Sequence, residues 1–192
     1  MSQRAAIRWL PTVLFAVVVA FGAGHAASTP DVPGGGPFVF AAPATFTRVD
    51  AGSGTNPNVA KLWVEPTAIS PLDPRATLSH SPHRAALEEP ALAEIAAGMP
   101  AIYANSKGTW KEARHVVHIR PDGGKVALIV GDLTTDTNVR MTTMQMMFPD
   151  DTGSSIVTAS FAVPSATRLI PAFEKAMDDS TGVKKPGKPA PN

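Results

Sequence analysis

The side chains in this sequence with the most chemical reach are its histidines and a run of methionines. Two histidine pairs share one spacing, His80-x-x-His83 and His115-x-x-His118. Four methionines crowd a single segment, Met141-x-x-Met144-x-Met146-Met147. Thioethers and imidazoles together suit copper, and imidazoles suit zinc. Spacing limits which of them can share an ion. On a strand, residues three apart point to opposite faces, which separates His115 from His118 and Met141 from Met144. Met144 and Met146 do share a face, where core packing would place them equally well. His80 and His83 lie in a Ser/Pro stretch, SHSPH, that can bend around a metal. A metal site would therefore draw on His80, His83, Met144 and Met146. Copper or zinc binding is the alternative to a chain that carries no cofactor.

Other chemistries find less support. The sequence has no Cys, no Gly-x-Ser-x-Gly and no glycine-rich phosphate loop ending in Lys-Ser/Thr. Gly52-Ser53-Gly54 lacks the strand-to-helix setting of a nucleophile elbow. His115 or His118 could join a Ser and an Asp only through the fold, since no spacing selects a triad. Asp132, Asp136 and Asn138 hint at calcium, but the Gly and terminal Glu of a calcium loop are missing, and a solvated turn is expected. Glu88 and Glu89 are adjacent, hence splayed, and read as partners of a helix N-terminus. Lys184, Lys185 and Lys188 give weak attraction to an anionic surface. Trp63 and Trp110 read as core or edge packing; if an aromatic anchors a protein partner, it is Trp110, beside Gly108.

The N-terminus carries an export signal. Arg4 and Arg8 precede an apolar core from Leu10 to Phe21, and small residues follow at Gly22, Ala23, Gly24, Ala26 and Ala27. Cleavage after Ala26 would put Gly24 and Ala26 where the peptidase requires small side chains. The apolar core is short against the roughly 20 residues a membrane span needs. An uncleaved anchor is the alternative, and no stable span is expected after cleavage. Without Cys, lipoprotein processing is excluded. Removing Arg4 and Arg8 takes Lys plus Arg from 17 to 15 against 16 Asp plus Glu, a mature net charge of −1. That balance gives no electrostatic case for binding nucleic acid. An exported chain without disulfides must be held by its core, which about 166 residues allow. The expected location is periplasmic or secreted.

The expected organisation is a signal peptide over 1–26, a Pro/Gly-rich lead-in over 27–36, one domain over 37–179 and a disordered Lys/Pro tail over 180–192. Four β-branched or apolar runs mark the domain's second half: Ala113–Arg120, Lys125–Asp132, Arg140–Phe148 and Ser154–Phe161. Pro121-Asp122-Gly123-Gly124 joins the first pair and Pro149–Gly153 the last, so the four form an antiparallel meander. One covered and one wetter face are expected. A helix over Pro90–Ala97 should stop at Gly98 and Pro100, with Leu87, Ala91, Leu92 and Ile95 as its apolar stripe. A second helix runs from about Thr167 to Asp179, with Leu169, Phe173 and Met177 four apart. Phe38–Ala42, Phe46–Val49 and Ala60–Val64 read as three short strands. The order is β-β-β-α-β-β-β-β-α, an α+β architecture with two helices on an antiparallel sheet.

The strand, Pro and helix at the close (SFAVPSATRLIPAFEKAM) and the strand–Pro–strand opening (FVFAAPATFTRVD) resemble the PsbP-like fold family. The family comprises small exported or lumenal α/β/α sandwich domains that mostly serve as accessory or assembly factors. The resemblance implies that architecture and such a role. It transfers no functional residue. The expectation is a non-enzymatic exported protein that binds another envelope or secreted protein. The alternatives are the copper- or zinc-binding protein described above, and a hydrolase whose site is assembled only in the fold.

Overall fold

A computed structural model describes residues 38–49, 61–66, 73–150 and 153–183. The signal segment, the lead-in, the Gly52–Gly54 loop and the three tail lysines lie outside the described residues. The elements in chain order are β1 (Thr47–Val49), β2 (Lys61–Val64), β3 (Arg75–Ser81), α1 (Glu89–Ala104), β4 (Thr109–Ile119), β5 (Lys125–Thr134), β6 (Arg140–Pro149), β7 (Ser154–Ala162) and α2 (Ala166–Asp179). A short 3-10 turn, Val163–Ser165, leads into α2.

The strands form one antiparallel sheet in the order β1-β2-β3-β7-β6-β5-β4. The meander β4 to β7 is the one its turn chemistry dictates. Gly123 adopts φ +81° in the β4–β5 hairpin, a conformation that costs a side-chain-bearing residue dearly. Pairing β3 against β7 then brings the N-terminal strands back beside the end of the meander.

The overall order is as expected, but the first three strands are filled differently. Phe38–Ala42 is not a strand. It makes a single bridge, Val39 to Thr181, and inserts Phe38 and Phe40 into the core. The SHSPH stretch is not wholly a loop either: Arg75–Ser81 is β3, so His80 sits on a strand and His83 follows in the loop. In Arg75–Ser81 only Ala76 and Leu78 are apolar at alternate positions, too weak a pattern to announce a strand by itself. Its partner β7 completes it.

Both sheet faces are covered over the central strands, rather than one. Along β5, Val126, Leu128 and Val130 belong to one core cluster, and Ala127, Ile129 and Leu133 to the other. The first cluster lies under α2 and contains Leu169, Phe173, Met177, Phe161 and Phe148. The second lies under α1 and contains Leu92, Ala96, Met99 and Tyr103. This double coverage explains why β5 reads as a nearly continuous apolar run.

Helix α1 runs through Gly98 and Pro100 to Ala104. An internal proline costs ~3 kcal/mol or more. Burying Met99 returns ~1.5–3 kcal/mol, and Tyr103, one turn further on, adds to it. Tertiary burial therefore outweighs the stop signal. The buried stripe is Leu92, Ala96, Met99 and Tyr103, rotated from the expected one; Ala91 is exposed, while Ile95 and Leu87 are half-buried. Chain contact also continues past Asp179. Val39 and Thr181 exchange two backbone hydrogen bonds of 3.0 Å, Ser180 is fully buried, and Val183 packs against the core.

Candidate functional site

Edge strand β4 carries His115 and His118, and the pleat sends them to different faces. On the α2 side, Arg114 bonds Glu174, and His118 Nε2 lies 2.7 Å from Asp178 Oδ1. Glu174 and Asp178 are one helical turn apart and so present a single acidic face to the strand. His115 instead turns its Nδ1 to Glu112 Oε1, 2.7 Å away, beside the irregularity in pairing between Glu112 and Arg114. These groups are a quarter to a half exposed, so each pair contributes at most ~1 kcal/mol, and the Arg114 and His118 pairs mainly set the register of α2 on the sheet. The outward N–H of Val117 donates to Glu89 Oε1 at 2.9 Å, so α1 caps part of this sheet edge.

Arg120, directly after β4, is buried and closes the far end of α2. Its Nη2 donates to the carbonyls of Ser180 at 2.5 Å and Asp178 at 3.2 Å, and Nε to Asp122 Oδ1 at 3.3 Å. A guanidinium there meets carbonyls that the helix cannot satisfy and the negative end of its dipole. Ser180 Oγ in turn accepts from the Ala41 N–H at 3.1 Å. Arg120 thus ties the β4–β5 hairpin, the end of α2 and residues 38–41 into one rim. The rim holds Val39, 56% exposed, and Ile119, 68% exposed.

The proposed metal ligands are not gathered. Met144 and Met146 are fully buried in the cluster beneath α2. His80 opposes Ser155 on β7, which opposes Phe148 on β6, so His80 lies two strands from the methionines. At ~4.8 Å per strand that separates the backbones by ~10 Å across the sheet alone. His83 is exposed; its N–H bonds Ser81 Oγ, and its carbonyl accepts from Ser154 Oγ. Among the described residues, no three His, Asp or Glu side chains converge as a metal-binding group.

His80 does approach an acid and a hydroxyl. Its Nδ1 is 3.5 Å from Asp150 Oδ2, the oxygen that accepts from Ser155 Oγ at 3.1 Å. The acid lies between the other two, so the imidazole does not meet the hydroxyl, and Ser155 is fully buried, away from any substrate. Among the described residues, His115 and His118 bond carboxylates and no serine.

Trp110 lies inside the α1 cluster, not on the rim. It is 5% exposed, stacks on Tyr103 with centroids 6.1 Å apart, and donates from Nε1 to Thr143 Oγ1 at 3.0 Å. Its ring rests on Gly131, where a Cβ would fall 2.6 Å from Nε1. Burial raises the Tyr103 phenol above its ordinary pKa, against hydrogen bonding from Thr143 and Gln145. Sequence reasoning also missed Glu65 and Arg168, 103 positions apart, which pair bidentately at 2.7 and 2.6 Å. That hydrogen bonding holds the Glu65 carboxyl below its usual range, against the desolvation that would raise it.

Among the described residues, no helix is long and apolar enough to cross a membrane. No protein-family model matches the sequence, and no curated protein matches it. Solved structures do resemble it. The solution structure of PsbP (CyanoP) from Synechocystis sp. PCC 6803 matches at a TM-score of 0.57 and 10% identity, over 77% of this chain and 86% of that one. LpqN from Mycobacterium tuberculosis, involved in cell envelope biogenesis, matches at 0.50 and 14% identity, over 80% and 89%. At such identities the likeness concerns the backbone, and what it establishes is that this chain has the PsbP-like fold.

Proposed function

We propose that this protein is exported and acts without catalysis, as an accessory factor that binds another protein in the cell envelope. The observation that carries the reading is how its reactive side chains are employed. His118, Arg114 and Arg120 dock α2, Glu89 caps the edge strand, and Trp110 packs α1. Each is committed to holding elements together. The N-terminal signal pattern supports export. LpqN, which shares the fold, is involved in cell envelope biogenesis, and fold-level analogy of this kind is associational. The rim around Val39 and Ile119 is the proposed contact surface, since these are the two most exposed large apolar side chains among the described residues.

Photo-crosslinking residues placed at Val39 and Ile119 in the exported protein test this in its own envelope. The expected result is one discrete protein adduct from both rim positions and none from exposed Glu94 on α1. Equal adducts at all three positions, or none, would overturn the assignment.

A further inference from the structure

On the α1 side of the sheet, the segment between β3 and α1 leaves a cleft of about 170 Å³. Met147 and Ile156, paired across β6 and β7, form part of its floor, and Ile95 of α1 forms a side. Gln145, also in the lining, is engaged by Tyr103. The ionisable groups of the lining are both bases, His83 and Arg84, and no carboxylate accompanies them. Among the described residues, Arg84 enters none of the ion pairs. The acid at this end of the sheet, Asp150, is engaged with His80 and Ser155. His80 and Ser155 alternate with Ser81 and Ile156, so they point to the face beneath α2, away from the cleft.

The backbone that carries Arg84 is held. The His83 N–H donates to Ser81 Oγ at 3.2 Å, and Ser154 Oγ donates to the His83 carbonyl at 2.8 Å. Arg84 is exposed, so its guanidinium stands at the mouth and the apolar side chains lie below it. An apolar floor with a cation at its edge suits a ligand that is apolar at one end and anionic at the other. The planar fork of a guanidinium matches the two oxygens of a carboxylate. A second anionic group on the ligand would lie over Met147 and Ile156 without a counter-charge. The volume sets the size of the apolar end, since an engineered cavity of about 150 Å³ accommodates one benzene ring. We propose that this cleft binds a small monocarboxylate whose apolar body is the size of one aromatic ring, with its carboxylate on Arg84. The site is on the opposite sheet face from α2 and does not depend on the partner-binding rim.

The methionines provide their own control. Met147 lines the cleft, whereas Met144 and Met146 lie in the cluster under α2. Methyl-labelled methionine in the full mature protein is titrated with benzoate and with benzamide, its uncharged isostere, and followed by NMR. The expected result is a saturable shift of Met147 with benzoate, Met144 and Met146 unmoved. Because Arg84 is exposed, the charge should be worth roughly 3- to 10-fold in affinity over benzamide. Added salt should weaken benzoate alone. Arg84→Gln, a change at an exposed position, should bring benzoate down to the level of benzamide. Ala86→Phe, on the wall of the cleft, should block both while leaving the Met144 and Met146 signals in place. Should Ala86→Phe fail to fold, Arg84→Gln decides. A Met147 signal that does not shift saturably with benzoate overturns the proposal. So does equal affinity for benzoate and benzamide in the parent protein, or a benzoate affinity that Arg84→Gln leaves unchanged.

Discussion

Truncating Phe173 to Ala tests whether α2 is packed as described. The ring is fully buried, with centroids 5.2 Å from Phe46, 6.1 Å from Phe161 and 6.4 Å from Phe40. It stands one turn from Leu169 and one from Met177, both also fully buried. Removing an aromatic ring from such a site costs ~3–5 kcal/mol, because the lost burial and the cavity left behind both count. Three aromatic neighbours place the expected cost in the upper half of that range. A domain of this size has a total stability of ~5–15 kcal/mol. At ~3 °C per kcal/mol, the unfolding midpoint should fall by about 10–15 °C. Thermal unfolding followed by far-UV circular dichroism and tryptophan fluorescence reads the shift. Deleting residues 181–192 gives a companion result: it removes two Val39–Thr181 backbone bonds and the packing of Val183, for a loss of about 1–3 kcal/mol. A Phe173→Ala protein as stable as its parent would mean that α2 is not docked, and the account of the core would fail.

Glu65→Gln separates charge from shape. Because the folded pKa of Glu65 lies below the ordinary 4.5, the parent should be more stable than the variant above that pH, and the difference should vanish as pH falls through the lowered value; pH-dependent urea unfolding measures it. Gly131→Ala drives a methyl into the Trp110 ring and should cost about 1–3 kcal/mol with a change in tryptophan emission, whereas a silent substitution would refute the close approach. Met144→Leu and Met146→Leu should each cost under ~1.5 kcal/mol, and copper(I) titration should show no stoichiometric site before or after. Tight copper lost in the Leu variants would restore the metal reading.

The meander was legible because every one of its strands is long, β-branched or apolar, and bounded by Gly, Pro or Asp. Helix α2 was legible through Leu169, Phe173 and Met177, since local spacing alone identifies a buried stripe. Strand β3 was not: Thr77, Ser79 and His80 are polar, and what makes them a strand is the ladder with β7, some 80 positions later. The end of α1 was misread because Gly98 and Pro100 are strong local signals, while the burial of Met99 and Tyr103 is set by the sheet. Side-chain roles divide the same way. The opposed orientations of His115 and His118 follow from the pleat. Their carboxylate partners, Glu112 and Asp178, depend on a local pairing irregularity and on where α2 docks. Arg120 draws its interest from burial, which a single sequence does not display for polar residues.

Native mass spectrometry of the untagged protein, released from the envelope of its own cells, tests the central claim most directly. One spectrum reports the mature N-terminus, any bound metal and any bound protein. The account predicts a chain beginning near Ala27, free of metal, in a complex of fixed stoichiometry with a second protein. A chain that retains Met1, one that carries stoichiometric copper, or a mature chain found only alone would contradict it.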